Sequence, residues 1–441
     1  MPLPPKLPLP PQRPATRPTW PLLLAAGLAG WLGVAWLGVR LYSDSPKRAG
    51  FDLELLLDAG RRVAAGATPY SATILAGRAP DATDLFYSYP PPVAQYLSLF
   101  AAVPSGVMLV VLGAAAALGL VLVSVALGRL AGGVPSPGLG QSFRAFGLPV
   151  AAAAPFVFPF AIAILFGNLD VLFPLLYGLM LLGALGRSLT ARFSGGAALA
   201  MAAVAKLHPA SMSLWFVARG LRERRQHSAS RAAAGGALLT PGTWLVAAAA
   251  VAVGIVIVGL SLAASGFTPW IDYSTVLRAG AGAAIVDSRN AGPAVQVALL
   301  VGGGEGTARL PQVAVTLAAI GGTVAVAWVC EDTLESFAWA TIASLVILPV
   351  TWFHYPVAVL PVAIVAWSRA DAERRSRVLG ALAGAIVAGV LGVALPVFVW
   401  LAVALVLVAV RQGRPMTGGV MLPAPTAGPS GSWPGVPAND P

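Results

Sequence analysis

The chain has 441 residues, of which 57% are hydrophobic and only 10% charged, and its formal net charge is +11. A water-soluble domain cannot carry that composition, whereas an all-α polytopic bundle in a bilayer can, with its polar groups kept to its ends and interior. The basic excess does not call for nucleic acid, because the Arg residues fall in connections between apolar runs, where membrane topology accounts for them.

Met1 to Pro18 is Pro-rich and carries Lys6, Arg13 and Arg17, the composition of a disordered arm over residues 1–18. Trp20 to Leu41 is too long for a signal-peptide core and lacks a small-residue cleavage site, so it reads as an uncleaved anchor. The stretch from Leu41 to Pro104 that follows holds Asp44, Asp52, Glu54, Asp58, Asp81 and Asp84, a concentration of acidic groups at one membrane face. Within it, Phe51 to Tyr70 has the spacing of an amphipathic helix lying on the membrane, with Leu53, Leu56 and Leu57 on one side and Gly66 ending it. Asp52, near the start of that helix, suits either a helix capper or a general base at the membrane surface. Glu54 is the rival base, although helical geometry turns it to a different face. Tyr87 to Pro92 (YSYPPP, including Tyr89) predicts a rigid aromatic segment, either an interfacial Tyr belt or a substrate-lining strip.

Further apolar segments lie near 105–127, 147–166, 169–186, 194–218, 243–264, 311–329, 337–353, 355–368, 378–395 and 397–410. Residues 19–411 thus form one transmembrane domain of about 10 to 12 spans, and 412–441 is a Pro/Gly-rich disordered tail. The segment 194–218 is basic at both flanks, with Arg187 and Arg192 before it and Arg219, Arg222, Arg224 and Arg225 after it. One helix would put these flanks on opposite sides, so two helices meeting at Lys206–Pro209 are expected, with the tip pointing away from the cytoplasm. The Lys/Arg bias then places both termini in the cytoplasm, and only the loop with Glu331, Asp332 and Glu335 is discordant. Asp52, the turn Gly167–Asp170, Lys206, the 265–310 loop and His354 fall on the outer face. Lys206 either snorkels to the headgroups or pairs with an anionic phosphate, with His208 beside it. His354, between Trp352 and Tyr355, is either a packed interfacial histidine or a functional one. The three histidines form no ligand-spaced pair, no carboxylate cluster calls for a divalent metal, and Cys330, the only cysteine, excludes an intrachain disulfide.

The succession of signal anchor, Asp52 in an outer loop, Gly66-Ala-Thr-Pro-Tyr70 and Tyr89-Pro-Pro-Pro92 resembles the polytopic GT-C glycosyltransferases, and among them glycosyltransferase family 87. That family includes actinobacterial mannosyltransferases that use polyprenyl-phosphate-mannose. Gly167-Asn168-Leu169-Asp170 is similar to its Gly-Gln-x-Asn turn with both polar positions changed. Lys206-Leu207-His208-Pro209 is similar to its Lys-x-x-Pro element. Pro349-Val-Thr-Trp352-Phe-His354-Tyr355 resembles its Pro-x-Ser-Trp-x-His-His, with Tyr355 in place of the second histidine. The resemblance runs over about residues 20 to 370. It implies Asp52 as the catalytic carboxylate and His354 as an essential histidine. Lys206, His208, Glu54, Tyr89, Asn168, Asp170, Trp352 and Tyr355 are expected around the substrates. The expected reaction is hexosyl transfer with inversion from a polyprenyl-phosphate-sugar to a glycolipid or glycan acceptor at the outer face of the cell membrane. The lipid-linked donor acts as co-substrate, and no cofactor is expected. The competing expectation is a secondary transporter or flippase, which would also need broken helices and charges at membrane depth.

Overall fold

The computed structural model describes residues 20–44, 49–77, 86–131, 138–234, 242–280, 286–287 and 290–369. The expected arm 1–18, the tail 412–441 and the apolar segments 378–395 and 397–410 lie outside the described residues. Among the described residues there is no strand, only an isolated antiparallel bridge between Asn290 and Trp352. The protein is an all-α polytopic membrane bundle.

Among the described residues four helices are long and apolar enough to cross a bilayer: α1 (Trp20–Asp44), α5 (Ser105–Ala131), α12 (Trp244–Ser265) and α15 (Glu305–Val329). Between α1 and α5 lie α2 (Phe51–Ala64), α3 (Ala72–Leu75) and α4 (Pro91–Ser98). After α5 come α6 (Leu139–Ser142) and α7 (Leu148–Ala153), continuous through a wide helical turn at Phe143–Gly147, and then α8 (Phe158–Phe166), set at 69° to them across a break at Val157. Pro155 and Pro159 flank the bend, and neither supplies the N–H that a continuous helix would need there. Shorter apolar helices fill the interior, α9 (Phe173–Leu185), α10 (Leu189–Ala205), α16 (Thr333–Val346) and α17 (Leu360–Arg369), together with α11 (Met212–Ala234), whose first half is apolar and whose second half is rich in Arg. Two small helices, α13 (Thr268–Gly280) and α14 (Pro293–Leu300), lie in the 265–310 connection.

The core is built where α9, α10, α11, α16 and α17 converge, around the fully buried Phe160, Phe173, Tyr177, Trp215, Phe216 and Phe337. Buried hydroxyls close the polar tips of the aromatics: Trp215 Nε1 donates to Ser336 Oγ at 2.8 Å, and Tyr177 Oη lies 2.9 Å from Ser344 Oγ. Helix α10 approaches α12 so closely that a Cβ at Gly196 would meet the Val246 carbonyl oxygen at 2.6 Å, the small-residue contact by which membrane helices gain dispersion contacts. Outward-facing side chains such as Leu118, Leu122, Ile255 and Leu260 stay exposed, as lipid-facing groups do.

The segment 194–218 is broken where expected. Lys206 adopts an extended conformation (φ −150°, ψ 145°), and Pro209 lies in the short turn that begins α11. Both basic flanks return to one end of the bundle. There Arg192 Nη1 donates to the last carbonyls of α9, including Ala184 O at 3.2 Å. Arg219 donates to Cys330 O, Glu331 O and Thr333 Oγ1 at 2.6, 2.9 and 2.8 Å. The acidic 331–335 loop therefore lies at the Arg-rich end.

The expectations for residues 51–92 need correction. Helix α2 does not lay its apolar face on lipid. Leu53, Leu56 and Leu57 are buried in a protein cluster with Tyr70, Tyr87, Leu97 and Tyr273, so α2, α4 and α13 form a small proteinaceous cap over one end of the bundle. The YSYPPP segment is also only partly extended, because Pro91 and Pro92 open helix α4.

Candidate active site

The cap and the bundle meet at the end opposite the Arg-rich loops. Gly50, in a left-handed conformation (φ 69°), begins α2 and donates its N–H to Leu165 O at 2.7 Å, fixing the helix to the end of α8. The chain then reverses at Gly167 (φ 68°), where a Cβ would lie 2.5 Å from Leu53 Cβ, so only glycine permits this approach. That contact brings Asp52 against Asn168, whose Nδ2 donates to Asp52 Oδ2 at 2.6 Å. Asp52 is therefore no helix cap: the N-cap position is Gly50, and no side chain caps α2.

The turn 168–172 carries the second half of the site. Asn168 Oδ1 accepts from the Asp170 N–H at 3.0 Å, which starts the turn and aims the Asp170 side chain into the bundle. Asp170 is fully buried, and its Oδ2 receives Lys206 Nζ at 2.7 Å and lies 3.3 Å from His354 Nε2. Lys206 Nζ also stands 4.0 Å above the Tyr355 ring. A lysine held this way does not snorkel, so that reading of Lys206 is corrected. The break between α10 and α11 lets it reach Asp170, because its extended backbone directs it sideways instead of along a helix.

His354 is placed by a loop that Asn290 staples. Asn290 Nδ2 donates to Pro349 O at 3.0 Å, while its Oδ1 accepts from the N–H groups of Thr351 and Gly292, each at 2.9 Å. Trp352 pairs by backbone with Asn290 and packs half-buried against the main core. Asn290 was not singled out in the sequence; the signal there was an Asn two residues before a Gly-Pro pair, a turn mark that many loops share.

Asp52, Asn168, Asp170, Lys206, His354 and Tyr355 are thus brought into one connected group. Tyr89 lies in the cap above it, half-buried, with its backbone carbonyl held by Tyr70 Oη at 3.1 Å. Two expected residues are not brought to the same surface. His208 is buried behind Tyr355, stacked on that ring at 5.4 Å and edge-on to Phe173. Glu54 occupies another edge of α2, where Arg61 binds it at 2.8 Å. The two carboxylates differ accordingly. Burial pushes Asp52 above the ordinary carboxylate range, against the opposing Asn168 hydrogen bond and the charges of His354 and Lys206. Partial burial acts upward on Glu54 as well, but the hydrogen bonds and charge of Arg61, with Ser105, hold it below the ordinary range.

Fold and site together define a polytopic membrane protein with a carboxylate, a histidine and a compensated lysine at one end of its bundle. The family model of glycosyltransferase family 87 matches residues 87–351, more than half of the chain; the chain belongs to this family and is a membrane glycosyltransferase. Among curated proteins the sequence search finds no match. The matched stretch contains Asn168, Asp170, Lys206 and Asn290, begins after Asp52 and stops just short of His354. Membership decides against the transporter reading.

Proposed function

We propose that the protein transfers a hexose, mannose in the first instance, from a polyprenyl-phosphate-sugar to a glycolipid or glycan acceptor, with inversion at the anomeric carbon. The observation that carries this reading is Asp52. It is a half-buried carboxylate of raised pKa, anchored through one oxygen and standing where the cap meets the bundle. A sugar hydroxyl is a weak nucleophile, so a base must take its proton as the new bond forms. In the proposed step the acceptor oxygen bonds to the anomeric carbon, its proton passes to Asp52, and the carbon–oxygen bond to phosphate breaks. The polyprenyl phosphate departs with the bonding electrons. In this reading His354, which faces Asp170 and Phe166, donates toward the charge that develops on that phosphate. The leaving group needs no nucleotide, and no cofactor enters the proposal.

The Arg-rich end, with Arg192, Arg219 and Arg222, supports a cytoplasmic location for that end by the positive-inside rule, and so an outer-face location for the site. The test is transfer by purified protein in proteoliposomes supplied with polyprenyl-phosphate-mannose and, separately, polyprenyl-phosphate-glucose, with a membrane glycolipid extract as acceptor. Label should pass to the extract from the mannose donor. Transfer from the glucose donor alone would overturn the sugar, and transfer only from a nucleotide sugar would overturn the donor class.

A further inference from the structure

We propose that Asn168 is a positioning residue for Asp52: it holds one carboxylate oxygen and leaves the other as the single proton-accepting atom. This rests on the reading of Asp52 as the base. Asn168 is 4% exposed, and both ends of its side-chain amide are used. Its Oδ1 accepts from the Asp170 backbone N–H at 3.0 Å, and an N–H can be satisfied only by the oxygen end of the amide. The amide orientation is therefore set by the turn, and Nδ2 is obliged to face Asp52 Oδ2, at 2.6 Å. Among the described residues no hydrogen bond goes to Asp52 Oδ1. An acceptor hydroxyl that approaches the carboxylate meets that atom. The same amide links Asp52 to the turn that carries Asp170, and so to the Lys206–Asp170–His354 group.

The groups facing Asp52 come from four places. They are Asn168 and Asp170 of the turn before α9, Lys206 at the α10–α11 break, His354 and Tyr355 before α17, and Tyr89 of the cap. Asn168, Lys206 and His354 favour the ionised carboxylate, while burial and Asp170 oppose it. Removing the Asn168 donor removes one favourable partner and leaves the opposing ones. The proton then leaves Asp52 only at higher pH, and the acid limb of the kcat–pH profile moves upward.

Asn168→Asp is the informative variant, because Asp caps the turn as well as Asn does but presents an acceptor to Asp52 instead of a donor. With polyprenyl-phosphate-mannose and glycolipid extract at saturation, its acid limb should rise by about one to two pH units. Asn168→Ala should move the limb in the same direction, and Asn168→Gln, which restores a donor, should return it toward the original position. A limb that stays in place in Asn168→Asp, with kcat lowered equally at every pH, would make Asn168 a structural cap only. If that variant does not insert, the same reading is taken from Asn168→Ala. The base assignment fails separately: full activity of Asp52→Asn would overturn that reading, whereas an inactive Asp52→Asn with an unmoved limb in Asn168→Asp overturns the positioning role alone.

Discussion

Replacing Lys206 by Met removes the cation from a pair buried at both ends, with side-chain exposures of 10% for Lys206 and 0% for Asp170. At 2.7 Å and an effective dielectric constant near 20, the direct attraction is about 6 kcal/mol, much of which offsets the cost of taking both charges out of water. Breaking one side of such a pair costs about 3–5 kcal/mol, because the other charge stays buried. His354 remains 3.3 Å from Asp170 and provides partial compensation, which favours the lower end, about 3 kcal/mol. Asp170→Leu alone should cost a similar amount, whereas Lys206→Met with Asp170→Leu should recover at least about 1 kcal/mol relative to the sum of the two. Denaturant titration in mixed micelles, followed by tryptophan fluorescence, measures all three. Single variants within about 1 kcal/mol of the parent, or a double variant that is simply additive, would refute the buried pair. A folded double variant also separates the two uses of Lys206. If the lysine reaches the donor phosphate as well, donor affinity should fall about 10- to 100-fold, since a hydrogen bond to a charged group contributes about 1.5–3 kcal/mol.

Gly167→Ala should lower both stability and turnover, because a left-handed residue would gain a Cβ 2.5 Å from Leu53 and push α2, with Asp52, off the turn. The expected cost is about 1–3 kcal/mol by thermal melting. Asn290→Ala leaves Pro349 O and the buried Thr351 N–H without their partner, so the His354 loop should loosen, kcat should fall about 10- to 100-fold, and stability by thermal melting should drop by about 1–3 kcal/mol. Arg219→Ala removes three hydrogen bonds at the opposite end. It should reduce the folded yield while leaving activity per folded molecule unchanged, as measured by activity normalised to gel-filtration peak area.

The hydropathy pattern was enough for the fold class, because a bilayer demands long apolar helices and the chain supplies them without ambiguity. The break at Lys206 was legible for two independent reasons: basic flanks on both sides, and a proline three residues on. The gathering of Asp52, Asn168, Asp170, Lys206 and His354 followed from topology, since alternate connections must emerge at the same end. What topology does not contain is pairing. Nothing in the run around Lys206 says that its charge is met by Asp170, 36 residues earlier in the chain, because the contact depends on how α9 and α10 rotate against each other. The cap was misread for a similar reason. An apolar helix face looks the same whether lipid or protein covers it, and only the fold places Tyr70, Tyr87 and Tyr273 over Leu53 and Leu57. Glu54 was separable from Asp52 by the 100° step of a helix, although its partner Arg61 was not foreseen.

The role of Asp52 is tested most directly by the rate of hexosyl transfer in proteoliposomes by Asp52→Asn, with Glu54→Gln alongside it. Asn keeps the size and can still hydrogen-bond Asn168, but it cannot take a proton, so the rate should drop about 10²- to 10⁴-fold while donor still binds. Glu54→Gln, on the other edge of α2 with Arg61, should stay within a few-fold of the parent, roughly the effect of losing a half-exposed ion pair. An active Asp52→Asn beside an inactive Glu54→Gln would move the base by two residues, and full activity in both would contradict a catalytic carboxylate on this helix.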